Sequence, residues 1–202
     1  MKKTTLLLVV ILLASSFTQA STGWYSDYVK INVNGAGTSN PPAGWYWIGS
    51  DPSYATQLQG ANLGTVTSLA IEGCDMKYWS DTQDRTGGFL YYKIMSADGL
   101  TQIVAPVQTA WTQNALGGND YQGTVAVNLN ILSGLTYGTT YQLQVWVQST
   151  GTTDGDSWLS NSSANYVATF TVAPMSGTYS VGTAAGANFP SLSSAINTIS
   201  SV

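Results

Sequence analysis

The feature that most constrains the fold is an alternation of apolar and polar residues that recurs in short segments between residues 28 and 172. A period of two places successive side chains on opposite faces of a β-strand, so each segment predicts a half-buried strand. Turn-forming residues such as Asn34-Gly35 separate the segments at intervals of roughly 8–15 residues. The pattern predicts about seven to nine strands, no helix among them, and therefore an all-β, antiparallel sandwich. The predicted strands are residues 28–33, 44–49, 66–71, 75–79, 89–95, 103–107, 125–131, 141–148 and 166–172.

Residues 135–143, Leu-Thr-Tyr-Gly-Thr-Thr-Tyr-Gln-Leu, give the most specific local signal. They resemble the pattern L-x-P-G-x-x-Y-x-L that opens strand F in fibronectin type III and other immunoglobulin-like domains. There the tyrosine hydroxyl bonds to the backbone at the corner between strands E and F. The resemblance implies an immunoglobulin-like β-sandwich in which Tyr141 has a structural role. Tyr137 stands where those domains carry proline, so a jelly-roll topology stays open beside the immunoglobulin-like one.

A wider resemblance covers residues 46–172. The strand Leu90–Ile94 with its acidic-Gly turn, the segment Leu132–Tyr141 and the closing strand Asn165–Val172 are similar to motifs of a module near the N-terminus of large secreted Bacteroidetes proteins. The resemblance implies an extracellular or cell-surface setting. Its motifs are structural and imply no catalytic activity.

The first twenty residues have the layout of a secretory signal peptide. Met1-Lys2-Lys3 is followed by an apolar run over residues 6–14 and by small residues up to Ala20. The apolar run is about half of the roughly 20 residues that a membrane-spanning helix needs, which disfavours the alternative of a retained anchor. We expect cleavage after Ala20, secretion of the remaining chain, and no membrane insertion after cleavage.

The composition changes after Pro174. A pattern G-x-Y-x-V-G in residues 177–182, followed by F-x-S-L-x-x-A-I in residues 189–196, is similar to the start of secreted right-handed β-helix domains, where a short amphipathic helix caps the first coil. Leu192, Ala195, Ile196 and Ile199 fall on one helical face. We therefore expect a signal peptide at 1–20, a sandwich module at 21–174, and at 175–202 a short strand-plus-helix fragment that opens a second domain of a longer protein. The alternative is that the helix packs back on the sandwich.

Several function classes are disfavoured by composition alone. Histidine is absent and Cys74 is the single cysteine, which removes His-dependent nucleophilic sites and Cys- or His-rich metal sites. Beyond residue 20 the chain has four basic and ten acidic residues, a net charge of −6, which disfavours nucleic acid and anionic membranes as partners. Cys74 lies in an apolar stretch and is expected to be a buried small hydrophobe.

Two carboxylates, Glu72 and Asp75, are the strongest candidates for acid–base chemistry. Residues three apart on a regular strand face opposite sides, so the pair would converge only if Gly73 marks a bulge. A single sandwich offers few clefts for glycoside hydrolysis. We expect no catalytic residues and no enzymatic activity in this chain.

The aromatic residues carry the binding hypothesis. In the strand 141–148, Tyr141 and its apolar alternates point one way, while Gln144, Trp146 and Gln148 point the other. An outward tryptophan among amides is typical of sugar-binding surfaces, because the ring stacks on a pyranose and the amides bond its hydroxyls. The candidate ligand-binding residues are Trp146, Gln144, Gln148 and Trp158. The alternative is that the tryptophans cover the sandwich ends or an interface with the next domain.

Asp154-Gly155-Asp156, in the loop 149–163, is a D-x-D arrangement that suggests a calcium site. A solvated acidic turn is the alternative, and no other cofactor is expected.

The sequence thus predicts a non-catalytic extracellular module for binding or adhesion, with polysaccharide and a downstream domain of the same chain as partners. The alternatives are a structural spacer, or an accessory domain of a polysaccharide-degrading enzyme whose catalytic part lies beyond residue 202.

Overall fold

Two β-sheets of six strands each pack face to face in the computed structural model, which describes residues 22–49, 53–174, 180–183, 185 and 187–200. The predicted signal peptide lies outside the described residues. The strands, in chain order, are β1 (Thr22–Val33), β2 (Trp45–Trp47), β3 (Thr56–Gln57), β4 (Ala61–Val66), β5 (Leu69–Ser80), β6 (Gly87–Ser96), β7 (Gln102–Ala110), β8 (Thr112–Gly117), β9 (Asp120–Asn130), β10 (Thr140–Thr150), β11 (Ser157–Leu159) and β12 (Tyr166–Val172).

The strand order identifies the sandwich as immunoglobulin-like. One sheet runs β3-β2-β1-β5-β9-β8, and its last four strands take the places of A, B, E and D. The other runs β4-β12-β10-β6-β7, in which β12, β10 and β6 take the places of G, F and C, while β11 pairs with the end of β10. This confirms the expected fold class and removes the jelly-roll alternative. Two pairs, β2–β3 and β4–β12, are parallel, so both sheets are mixed and the expectation of a wholly antiparallel sandwich is wrong at these pairs.

The core lies between the sheets and follows the alternation of the sequence. In β10 the side chains of Tyr141, Leu143, Val145 and Val147 are buried in it, as the pattern predicted. Each such apolar side chain stabilises the fold by about 1.5–3 kcal/mol on burial.

The corner between β9 and β10 has the predicted tyrosine. The backbone N–H of Thr136 donates to the hydroxyl oxygen of Tyr141 over 3.1 Å. The ring of Tyr141 is buried against Phe170 of the neighbouring strand. The structural role expected for Tyr141 is therefore confirmed.

A β-bulge interrupts β5 at Gly73. The pairing register shifts on both sides of the strand at this point, and Gly73 has φ +138°. Ile71 and Cys74 are consequently both buried, while Glu72 and Asp75 lie on the outer face. A bulge at Gly73 was the condition for Glu72 and Asp75 to share a face, and the bulge is present. Cys74 is buried, which agrees with its predicted place in the core.

Some strands differ from the prediction. The single strand predicted over residues 66–71 is wrong, because Val66 ends β4 in one sheet and Leu69 begins β5 in the other. Asn34 stabilises this switch: its Oδ1 accepts the N–H groups of Thr67 and Ser68. β8 was not predicted because its residues are largely exposed and show no clear alternation, and β11 was not predicted because its three residues are too few to show a pattern.

The predicted C-terminal helix is present as α1 (Leu192–Ser200). Ser191 caps it by accepting the N–H of Ser194, so the preceding Pro190 lies outside the first turn where it was expected. A parallel bridge joins Val181 to Phe189 before the helix. Within the described residues, none of the helices has the length and apolarity that crossing a membrane requires.

Candidate functional site

Four aromatic side chains form a continuous patch on the outer face of the sheet containing β6, β10 and β11. We call this patch, made of Phe89, Tyr91, Trp146 and Trp158, the aromatic surface. Cross-strand pairing aligns Trp146 with Tyr91, and aligns Gln148 with both Phe89 and Trp158. The alternation that buries one face of β10 therefore turns Trp146 outward, as predicted.

The rings of the aromatic surface pack against one another. Trp146 and Tyr91 are parallel, with centroids 5.3 Å apart, and Tyr91 also contacts Trp158 at 5.9 Å and Phe89 at 6.0 Å. Trp146 is half-buried by this packing, whereas Trp158 remains 49% exposed. Of the two predicted ligand-binding tryptophans, Trp158 is thus the one that offers a large open ring face.

The two predicted glutamines are buried and bonded within the protein. Gln148 accepts a hydrogen bond from the Tyr91 hydroxyl over 2.6 Å and donates one to Asp156 over 2.5 Å. Gln144 donates to Gln142 and accepts from the side-chain amide of Asn165. Their amides thus hold the aromatic residues and the neighbouring loop in place, which favours a positioning role over direct contact with a ligand.

Trp158 also borders a cleft of about 650 Å³ between the two sheets. The cleft lies where β1, β2 and β3 face β11, β12 and the connection between them. Its aromatic walls are Trp24, Trp47, Trp158 and Tyr166, and amides and hydroxyls from residues 57–59 and 160–163 line the rest. None of the described lining residues is acidic or basic. Apart from Trp158, sequence patterns do not indicate this cleft, because its walls come from segments more than a hundred residues apart.

One rim of the cleft is a turn of left-handed backbone. Asn161, Ser162 and Ser163 have φ of 48°, 56° and 71°, and Asn165 has φ of 60°. Backbone hydrogen bonds close the turn from Ala164 to Asn161 and from Asn165 to Ser160. Non-glycine residues in this region cost roughly 1–2 kcal/mol each, less for asparagine. The polar run Asn-Ser-Ser-Ala-Asn in the sequence is typical of a loop, but it does not predict this conformation.

The two aspartates suggested as calcium ligands have different partners. Asp154 accepts hydrogen bonds from Ser80 and Thr82 and pairs with the Arg85 guanidinium over 3.6 Å, while Asp156 accepts from Gln148. The structure therefore does not bring the two carboxylates together around one point. Among the described residues no group of three or more acidic, cysteine or histidine side chains lies close enough to hold a metal ion.

Loop contacts also account for Asp84, at the same end of the sandwich. Asp84 accepts the N–H groups of Thr153 and Asp154 and the hydroxyl of Thr152. These hydrogen bonds hold the pKa of Asp84 well below its usual value. Arg85 donates to Ser149 and to the carbonyl of Gly155, so this buried guanidinium joins the β5–β6 loop to the β10–β11 loop.

Glu72 and Asp75 share a face but not a partner. Glu72 accepts from Thr38 and Asn32, and the Thr38 bond, followed by the Asn32 bond, lowers the pKa of Glu72. Asp75 accepts from Gln122 over 2.8 Å. Each carboxylate thus serves a separate structural contact.

Most other tryptophans have structural environments. Trp45 and Trp47 pack around Tyr28, and Trp45 donates to the Thr38 carbonyl. Trp111 is buried against Tyr78 and occupies the space beside Gly88 and Gly123. The alternative that tryptophans cover the ends of the sandwich fits these residues, whereas the exposed Trp158 fits only its second form, an interface with the next domain.

No protein-family model matches the chain, and neither a curated protein nor a solved structure matches it. The immunoglobulin-like fold supports many unrelated functions. The chemistry of the aromatic surface and the cleft is therefore the basis for assigning a role.

Proposed function

We propose that this protein is a non-catalytic extracellular module that binds neutral polysaccharide through the aromatic surface. The observation that carries the proposal is the half-exposed ring of Trp158, held by Tyr91 beside the stacked Trp146. The apolar face of a pyranose ring packs well on an exposed indole, because such a contact buries apolar area without removing the sugar hydroxyls from water.

Contacts with neighbouring residues hold the ring of Trp158 in a fixed position on the surface. Three aromatic neighbours restrain Tyr91, and its hydroxyl is fixed by Gln148. β11, which carries Trp158, is paired to β10 at three positions. A ring that is already ordered loses little conformational entropy when a ligand binds, and this favours binding.

A structural spacer is the second candidate, and the positions of the start of β1 and the end of β12 favour it. Thr22 pairs with Ser80 at the end of the sandwich that carries the β5–β6 loop. Val172 lies beside Gly138 and Thr139 at the opposite end. A module entered at one end and left at the other suits a serial arrangement of domains, and this role is compatible with glycan binding.

Retention in native gels that contain a polysaccharide tests the proposal. The probes are hydroxyethylcellulose, xylan, mannan and mixed-linkage β-glucan, with polygalacturonate as an anionic comparison. We expect at least one neutral polymer to retard the protein and Trp158→Ala to abolish the retardation. The matched control is Tyr137→Ala, which removes a ring that is 41% exposed at the other end of β10. If the protein migrates without retardation in every neutral polymer, the glycan-binding proposal is wrong and the structural spacer is the remaining candidate.

A further inference from the structure

We propose that the cleft beside Trp158 is a second subsite that encloses one or two uncharged sugar units of the same glycan. This inference rests on the proposed function and deepens it, since it assigns part of the ligand to a place away from the outer face. The exposed ring of Trp158 connects the two subsites, because it belongs to the aromatic surface and borders the cleft.

The size and walls of the cleft fit a small polar ligand. Its volume of about 650 Å³ lies within the range of roughly 300–1,000 Å³ that is typical of small-molecule sites. Trp24, Tyr166 and Trp158 supply aromatic surface on facing sides, from β1, β12 and β11 respectively. A sugar has both apolar ring faces and polar edges, and such walls match the ring faces.

Hydrogen-bonding groups for the polar edges are present and uncommitted. The hydroxyls of Ser160, Ser162 and Ser163 bond to no other described residue. Gln59 uses only its Oε1, which accepts from Val167 and Asn161, so its amide N–H groups are available.

The left-handed turn is a second, independent sign of function. Asn161, Ser162 and Ser163 hold three consecutive strained φ values at the rim of the cleft, and Gln59 ties the turn to β12. Strained backbone of this kind persists where the surrounding structure enforces it and is concentrated at ligand sites. Its effect here is to present two adjacent serines at a concave surface.

The ligand class follows from charge. The described lining residues include no acid and no base. An ionic ligand would lose its hydration in the cleft without gaining a counter-charge, which is strongly unfavourable. A neutral polyhydroxylated unit loses hydration as well, but it can exchange its water contacts for the serine hydroxyls and amides.

The test combines two variants of the cleft with a site-resolved readout. Gln57→Arg places a long cation at the exposed edge strand β3 that lines the cleft, and Gln102→Arg places the same cation on the exposed edge strand β7 as the control. Ser162→Gly with Ser163→Gly removes both hydroxyls while keeping the positive φ that glycine tolerates. The probes are neutral cello-, xylo-, manno- and laminari-hexaose, titrated into the ¹⁵N-labelled protein.

We expect a hexasaccharide to shift the indole N–H resonances of Trp24 and Trp47, with affinity reduced about tenfold or more by Gln57→Arg and by the double glycine variant. The double variant should be at least as stable as the wild type, which separates loss of binding from loss of folding. Gln102→Arg should bind normally. If a hexasaccharide binds and Trp158→Ala weakens it while both cleft variants and the two indole resonances are unaffected, the cleft is not a subsite and the proposed function survives. If no hexasaccharide or polymer binds the wild type, both proposals are wrong.

Discussion

The indole of Trp146 lies parallel to the phenol ring of Tyr91, with an interplanar angle of 4° and a centroid separation of 5.3 Å. The two residues are directly opposite each other on β10 and β6. Their stacking on the outer face replaces part of the hydration of both rings and leaves the neighbouring Trp158 exposed. The aromatic surface is thus a packed unit with one open member.

This packing predicts a measurable coupling between Tyr91 and Trp146. In a double-mutant cycle with Tyr91→Ala and Trp146→Ala, urea denaturation should give a coupling free energy of about 0.5–1.5 kcal/mol. The control cycle joins Tyr91→Ala with Tyr137→Ala, because Tyr137 precedes β10 and is not among the ring neighbours of Tyr91 on β6. A coupling as small as that of the control would contradict the packed arrangement.

The tyrosine corner predicts that removing the hydroxyl oxygen of Tyr141 lowers the free energy of unfolding. Tyr141→Phe removes the acceptor of the Thr136 N–H and should lower the free energy of unfolding by about 1–3 kcal/mol, as expected when a partly buried donor loses its partner. Tyr137→Phe, in the same corner but with an exposed ring, should change it little. Equal effects of the two substitutions would show that the corner bond contributes nothing specific.

The buried carboxyl of Asp27 predicts an unusual dependence of stability on pH. Asp27 is fully buried and its carboxyl oxygens make no well-formed hydrogen bond among the described residues. Burial raises its pKa to about 8, the nearby backbone N–H of Lys77 opposes this shift, and the charge of Asp75 adds to it. Between about pH 4 and pH 8 the unfolded chain releases this proton and the folded chain keeps it. Asp27 therefore makes stability fall as pH rises through this window, by at most about 1.4 kcal/mol per pH unit.

Asp27→Asn should remove that contribution. We expect the variant and the wild type to differ least near pH 4, and the variant to be progressively more stable relative to the wild type up to pH 8, measured by urea denaturation at several pH values. Taking the difference cancels the opposite contribution of Asp84, whose lowered pKa is common to both proteins. A difference that is constant with pH would mean that Asp27 ionises normally in the folded state.

The bulge at Gly73 predicts that adding one methyl group, in Gly73→Ala, strongly destabilises the fold. An alanine Cβ at Gly73 would lie 1.9 Å from the carbonyl oxygen of Val125, so β5 and β9 would have to separate. Gly73→Ala should cost several kcal/mol of stability or prevent folding. Gly64→Ala is the matched control, because Gly64 also has a positive φ, +75°, but no atom lies within 4 Å of the added Cβ. Its cost should be about 1–2 kcal/mol, and similar losses for the two variants would contradict the close approach at Gly73.

The parts of the fold that the sequence predicted are those set by local patterns. Alternation in residues 141–148 determines which face of β10 is buried, and it placed both the core residues and Trp146 correctly. The corner motif correctly predicted the structural role of Tyr141. The glycine between Glu72 and Cys74 suggested a bulge, and the pairing register of β5 with β9 contains one. Edge strands such as β8 lack the alternation because neither face is fully buried.

The candidate site was only partly predictable for the same reason. Trp158 could be singled out as an aromatic residue in a polar loop, but its neighbours Trp24 and Gln59 are distant in sequence and meet it only through the packing of the two sheets. The partners of Gln144 and Gln148 also depend on that packing. Alternation alone predicts that these amides point outward. It does not predict that Asn165 donates a hydrogen bond to Gln144 or that Asp156 accepts one from Gln148.

Calorimetric titration of the purified protein with neutral hexasaccharides is the decisive experiment for glycan binding at Trp158. We expect saturable binding of at least one hexasaccharide and an unchanged affinity in Tyr137→Ala. Trp158→Ala should reduce the affinity about tenfold or more, a change of about 1.4 kcal/mol or more. Absence of binding to the wild type, or equal affinities for the wild type and Trp158→Ala, would rule out glycan binding at Trp158.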